Sequence, residues 1–273
     1  MDRTAGRTDV RVGLVDGPVI VGHQEFAGSH IESLRAQDVA DARADDDAAL
    51  HATSTAGVLV ARRASRAPGI CPGVTLVTRS VFSSPAARSS GSATQEELAQ
   101  ALVDLTDAGV RLVNMSLSLA SAPRGGHRAM QQALDHASRR GVIVVAAAGN
   151  EGALDGNVVT RHRAVIPVVA YSRHGRPGRM STVGPSIGRR GVGAVADGLV
   201  SLGAHGGMRP FGGTSAAAAI VTGAVALLWS ELPDTGPGEL ARAVTGSASR
   251  RTSVLPPVMD ARRAFESLLT AWR

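Results

Sequence analysis

Short, almost wholly apolar runs alternate along the chain with longer stretches in which apolar residues recur every three or four positions. The runs Val10–Asp16 (VRVGLVD), Gly73–Phe82, Val110–Leu119, Val142–Asn150 and Ala164–Tyr171 are rich in Val, Leu and Ile and bounded by glycine or polar residues, so they predict strands. Between them, Thr94–Gly109 opens with a capping box, Thr94 and Glu97, and carries Leu98, Ala101, Leu102 and Leu105 at helical spacing. His127–Gly141 repeats the scheme with Met130, Ala133, Leu134 and Ala137 on one face. Ala52–Ala64 reads as a helix of small residues, and two more helices are predicted at Gly236–Ala248 and Met259–Trp272. The stretch Gly184–Gly213 is rich in glycine and shows neither period, so it reads as loop.

Strands that are apolar on both sides must be covered on both faces, and their alternation with amphipathic helices predicts an α/β fold around a mostly parallel sheet. No Pro- or Ser-rich linker divides the chain, so residues 1–273 are expected to form a single domain, with its core at about 10–230 and the C-terminal helices at about 236–273. Ligands bind such sheets at the carboxyl ends of the strands. Asp16, Asn114 and Asn150 all fall at ends of that kind.

Composition narrows the partners. Aromatic residues make up only 3% while glycine and alanine abound, which calls for close packing of small side chains. The formal charge is +6 and every basic residue is arginine, scattered in ones and twos. A nucleic-acid surface needs such residues clustered and interleaved with aromatics, so no nucleic-acid partner is expected. The lone Cys71 forbids an internal disulfide and is expected to be a small buried residue. No apolar leader follows a basic start and no unbroken apolar run of about 18 residues occurs, which leads to the expectation of a cytoplasmic protein without a membrane partner. The histidines show no paired metal-ligand spacing and the acidic run Asp41–Leu50 lacks a calcium-loop pattern, so neither metal nor cofactor is expected.

The segment Phe211–Leu228 (FGGTSAAAAIVTGAVALL) sets Ser215 between a Gly-Gly-Thr turn and four alanines. A serine there can simply cap a helix. The alanines, however, leave open space beside the hydroxyl, which would serve a nucleophile given a base and a carboxylate to orient that base. His51, at the start of a small-residue helix, and Asp16, at the end of a buried strand, are candidates for those roles. Asn150 could donate its side-chain N–H to a developing oxyanion.

These residues recur in one order within a set of motifs. VGLVDGPV, HATSTAGVL, GICPGVTL, RLVNMSLS, VVAAAGNEG and GGTSAAAAIVTGAVALL together resemble the subtilisin-like serine peptidases from Val10 to Leu228. The resemblance implies a subtilisin-like three-layer sandwich and a serine endopeptidase using Asp16, His51 and Ser215 as its triad, with Asn150 and the Ser215 N–H binding the oxyanion. It also implies that the backbone at Leu117 and Ser118 pairs with an extended peptide, and that Ala147, Ala148 and Gly149 line the pocket for the residue before the cut. DGPV and IVTG look like the proteases of cyanobactin-type pathways, which trim ribosomally made precursor peptides, so a peptide or protein substrate is expected. Some such relatives close rings with the help of a helical insertion. Only 35 positions separate Asp16 from His51, which favours hydrolysis.

The chain departs from the family pattern at Ala52, Ser54, Ala216 and Ala219, where Gly, His, a larger residue and Pro are usual. Those changes motivate an alternative, a catalytically weak or inactive protein that keeps the peptide-binding cleft. The acidic residues Asp45, Asp46 and Asp47 either supply favourable charge at a helix N-terminus or draw a basic substrate residue to the cleft.

Overall fold

The computed structural model describes residues 3–81, 93–116, 126–247 and 254–271. Seven parallel strands form its centre in the order β2-β3-β1-β4-β5-β6-β7. They are β1 (Arg11–Asp16), β2 (His30–Ser33), β3 (Thr75–Ser80), β4 (Leu112–Met115), β5 (Ile143–Ala147), β6 (Val165–Tyr171) and β7 (Val192–Val195). The alternating pleat explains the unbroken apolar runs. Val12 and Leu14, Leu76, Leu112, Ile143 and Val145 point into one core, while Val15, Val77, Val113, Val144 and Ala146 point into the other.

The first core is covered by α2 (Asp47–Val60) and α7 (Gly213–Glu231), the second by α3 (Gln95–Asp107) and α4 (Gly126–Arg139). The expected capping box is present, with Thr94 Oγ1 accepting from Glu97 N at 3.1 Å and Glu97 Oε2 accepting from Thr94 N at 3.1 Å. By length and composition α7 could cross a bilayer, but 78% of its apolar window is buried within the molecule, as befits a core helix. α8 (Pro237–Gly246) and α9 (Ala261–Ala271) close the C-terminal side.

Several elements lie where no pattern announced them: β2, α1 (Ala36–Ala40), α5 (Val158–Arg161), α6 (Pro185–Arg190), β7, and the hairpin of β8 (Leu199–Leu202) and β9 (Met208–Phe211). The stretch expected to be loop therefore contains α6, three strands and part of the α7 turn. β8 and β9 form a separate antiparallel pair lying on α2 rather than in the main sheet. Gly57 makes that contact possible, because a Cβ there would lie 2.6 Å from both Leu202 Cγ and Ser201 Oγ. α2 also starts earlier than its apolar pattern, at Asp47, because Asp46 caps it by accepting from Ala48 N at 2.8 Å.

Candidate active site

The strand order turns outward in both directions between β1 and β4, the position at which a parallel sheet opens a crevice. Asp16 ends β1, Ser116 follows β4, and Asn150 follows β5, so three neighbouring strands deliver their last residues to one place. The helices α2 and α7 pack together on the same face and bring His51 and Ser215 to it from the other side.

Asp16 is 1% exposed, and a buried carboxylate needs partners for both oxygens. Its Oδ1 accepts from His51 Nδ1 and from the Gly17 N–H, each at 2.8 Å, and its Oδ2 accepts from Thr55 Oγ1 at 3.1 Å. Thr55 lies one turn after His51 on α2, so a single helix face supplies both ligands. With Nδ1 donating to Asp16, the His51 Nε2 lone pair is left free to accept a proton. Burial disfavours the His51 cation, but the charge and hydrogen bond of Asp16 favour it by more, and the net pKa stands above the usual 6.5. The Arg209 cation acts against that rise.

Ser215 lies in the first turn of α7 and is 7% exposed. Its Oγ donates to Ser116 O at 3.0 Å, and among the described residues no hydrogen bond joins it to His51. A chain of buried hydrogen bonds fixes Ser116: Asn114 Nδ2 donates to Ser116 Oγ at 2.6 Å, and Asn114 Oδ1 accepts from Thr222 Oγ1 of α7 at 2.9 Å. Gly213 opens α7 in the left-handed region, at φ 71°, and a Cβ there would stand 2.9 Å from Asn150 Oδ1. Asn150 Oδ1 accepts from Thr214 N at 3.0 Å and from Thr214 Oγ1 at 3.2 Å. Since those donors fix which end of the amide is oxygen, Nδ2 is the end left to donate elsewhere.

The structure thus brings Asp16, His51, Asn150 and Ser215 to one crevice. Ala147 and Ala148 are buried beside it, with Ala148 N bonded to Val168 O at 2.9 Å, and Gly149 N donates to Thr214 Oγ1 at 3.3 Å. Leu117 and Ser118 lie outside the described residues. Sequence reasoning missed Thr55, Thr214 and Ser116, although the four-residue spacing from His51 to Thr55 was a usable signal. It also missed Phe211, whose ring meets the His51 ring edge-on with centroids 5.5 Å apart. An open cavity of about 730 Å³ extends from Asn150, Phe211 and Gly213 toward Tyr171 and Met180.

Two departures have local explanations. Ser54 is fully buried, with its Oγ 2.8 Å from Leu202 O and 2.9 Å from Leu50 O, and so joins α2 to β8. Ala219 lets α7 continue unbroken to Glu231. In the acidic run, Asp46 is the α2 cap and Asp45 is paired with Arg43 at 3.0 Å. Cys71 is buried and its thiol is pushed up to about 12, which leaves it unreactive.

A parallel sheet in which one central strand ends at an aspartate bonded to a histidine, and the residue after the neighbouring strand holds a serine at the head of a buried helix, is the framework of a subtilisin-like serine peptidase. The chain belongs to the subtilase family, whose model matches residues 7–263. It is 28% identical over 246 residues to subtilisin DY of Bacillus licheniformis, a match that covers 88% of this chain and 84% of that one. Among solved structures, the protease domain of PatA, determined as a serine-to-alanine variant, superposes with a TM-score of 0.89 at 28% identity over 100% of this chain and 99% of the domain. A structure of the patellamide maturation protease PatA gives a TM-score of 0.84 at 26% identity, over 97% and 98% of the two chains.

Proposed function

We propose that the protein is a serine endopeptidase that works through an acyl-enzyme and matures a ribosomally made precursor peptide. The observation that carries the reading is the pairing of buried Asp16 with half-buried His51 at the β1 end, delivered to the same crevice as Ser215 and Asn150. In the proposed reaction Ser215 Oγ leaves Ser116 O and gives its proton to His51 Nε2 as it attacks the peptide carbonyl. A change of one staggered χ1 well is enough to redirect a serine hydroxyl, and catalytic hydrogen bonds commonly tighten only when substrate is bound. Asp16 holds the imidazole in the Nδ1–H tautomer and stabilises the cation. Asn150 Nδ2 and the Ser215 N–H meet the negative charge on the carbonyl oxygen. His51 then protonates the leaving amine, and water releases the acyl group.

The substrate class rests on the likeness to PatA, described as a patellamide maturation protease. Hydrolysis rather than ring closure is supported by the short connection from Asp16 to His51, which holds a single 3₁₀ turn, the four-residue β2 and the five-residue α1. A cytoplasmic setting belongs to the same proposal, since the lone buried Cys71 needs no oxidising environment. Incubation with a library of linear peptides, with products read by mass spectrometry, tests the reading. Linear fragments formed by the protein and not by its Ser215→Ala variant are expected. Binding of peptides without any cleavage would favour the alternative, a cleft that holds peptides without cutting them.

A further inference from the structure

Arg209 lies on β9, two residues before Phe211. In the β8–β9 register Arg209 stands opposite Ser201, and Phe211 opposite Leu199, so these four side chains share one face of the hairpin. On that face Ser201 Oγ donates to Ser54 O of α2 at 2.7 Å, and the Phe211 ring meets His51. Arg209 is therefore directed toward α2 beside His51, and its cation lowers the proton affinity of that histidine.

Its Nη1 is buried and has no hydrogen-bond partner. A guanidinium keeps its charge at every physiological pH, and a buried N–H of a charged group left unpaired is costly. In the acidic run, Asp45 is engaged with Arg43 and Asp46 caps α2. Among the described residues no carboxylate forms a salt bridge with Arg209. The Arg209 side chain is only partly buried, so an incoming group can reach the cation.

We propose that Arg209 is a specificity-determining residue that receives an aspartate or glutamate side chain of the peptide, on the leaving-group side of the scissile bond. The side follows from His51, which must reach the leaving amine. Arg209 and Phe211 approach that ring from β9, whereas Ser116 stands against Ser215 from β4. A carboxylate offers the forked guanidinium two acceptors and cancels its charge, while the isosteric amide offers one acceptor and no charge. This inference rests on the peptidase reading for the direction of the bound chain, but not for the existence of the carboxylate subsite.

The test uses matched peptides carrying Glu or Gln at each position around a cleaved bond. Their binding to the Ser215→Ala variant is measured by fluorescence anisotropy, so the result does not depend on turnover. Glu is expected to bind on the order of tenfold more tightly than Gln at one position after the cut bond, falling below about twofold when Arg209→Gln is added. Arg209→Lys should retain part of the preference. Equal binding of Glu and Gln peptides, or a preference that survives Arg209→Gln, would overturn the proposal. If Arg209→Gln does not fold by circular dichroism, the Glu-to-Gln binding ratio with Arg209 retained, compared with the ratio for Arg209→Lys, decides instead. Should the protein cut no peptide, cleavage fails independently, and the binding ratio over all positions still decides whether Arg209 reads a carboxylate.

Discussion

At the scale of single residues, the site depends on how each polar group is held. Thr214 and Asn150 illustrate this: two hydrogen bonds to Oδ1 orient the amide so that Nδ2 can donate. Asn150→Leu should lower kcat by about 10²–10³ with little change in KM, because the lost hydrogen bond is made mainly in the transition state. Thr55→Val removes the donor to Asp16 Oδ2 and leaves a buried carboxylate oxygen short of a partner. A loss of about 1–3 kcal/mol in urea unfolding is expected, together with reduced kcat. His51 carries a pH signature. Its raised pKa comes from Asp16 acting against burial, so the catalytically competent neutral form should gain ground only above the ordinary 6.5. Asp16→Asn removes both influences that raise the pKa and keeps the two that lower it, burial and the Arg209 cation. The acid limb of kcat/KM should therefore move to lower pH while kcat falls by on the order of 10⁴. The sign for stability is fixed by the same shift: the charged pair stabilises the fold fully below the unfolded histidine value and loses that contribution as pH rises through the folded one. Titration of His51 by NMR in the two proteins checks both statements.

At the scale of elements, the long periodic segments were legible and the short ones were not. The capping box, the apolar face of α3 and the apolar face of α4 all lie where the sequence places them, because each combines a start signal with a sustained 3.6-residue period. β2 has the burial pattern of an exposed sheet edge and includes His30 and Glu32, so no apolar run marks it. β8 and β9 hold Ser201, Arg209 and Pro210, and they are defined by their pairing and by contact with α2 rather than by hydrophobicity. Such elements exist through tertiary contacts that propensity does not encode. The contact makes a prediction of its own. Gly57→Val would drive a side chain into Leu202 and Ser201, and a destabilisation of about 1–3 kcal/mol is expected in denaturant titration. Gly57→Ala should cost less, since a single methyl needs smaller shifts.

At the scale of the whole molecule, α7 is at once the core of the fold and the carrier of Ser215. Its C-terminal end is anchored by Trp229, fully buried, with Nε1 donating to Thr235 O at 3.1 Å and the Arg111 guanidinium 4.0 Å from the ring. Trp229→Ala should cost about 3–5 kcal/mol, read as a lowered urea midpoint, although the residue stands far along the helix from the crevice. The overall arrangement was legible for a related reason: five apolar strands alternating with amphipathic helices dictate two covered sheet faces, and the sheet order then gathers strand ends that are distant in sequence. What the sequence alone did not reveal was the resting position of the Ser215 hydroxyl, which depends on the Asn114–Ser116–Thr222 contacts between β4 and α7. The central claim is that this hydroxyl becomes an activated nucleophile, and intact-mass analysis after treatment with a fluorophosphonate tests it most directly. A single adduct on the native protein, absent from Ser215→Ala, is the predicted result. A folded protein that takes no adduct, or an adduct that persists in the variant, would contradict it.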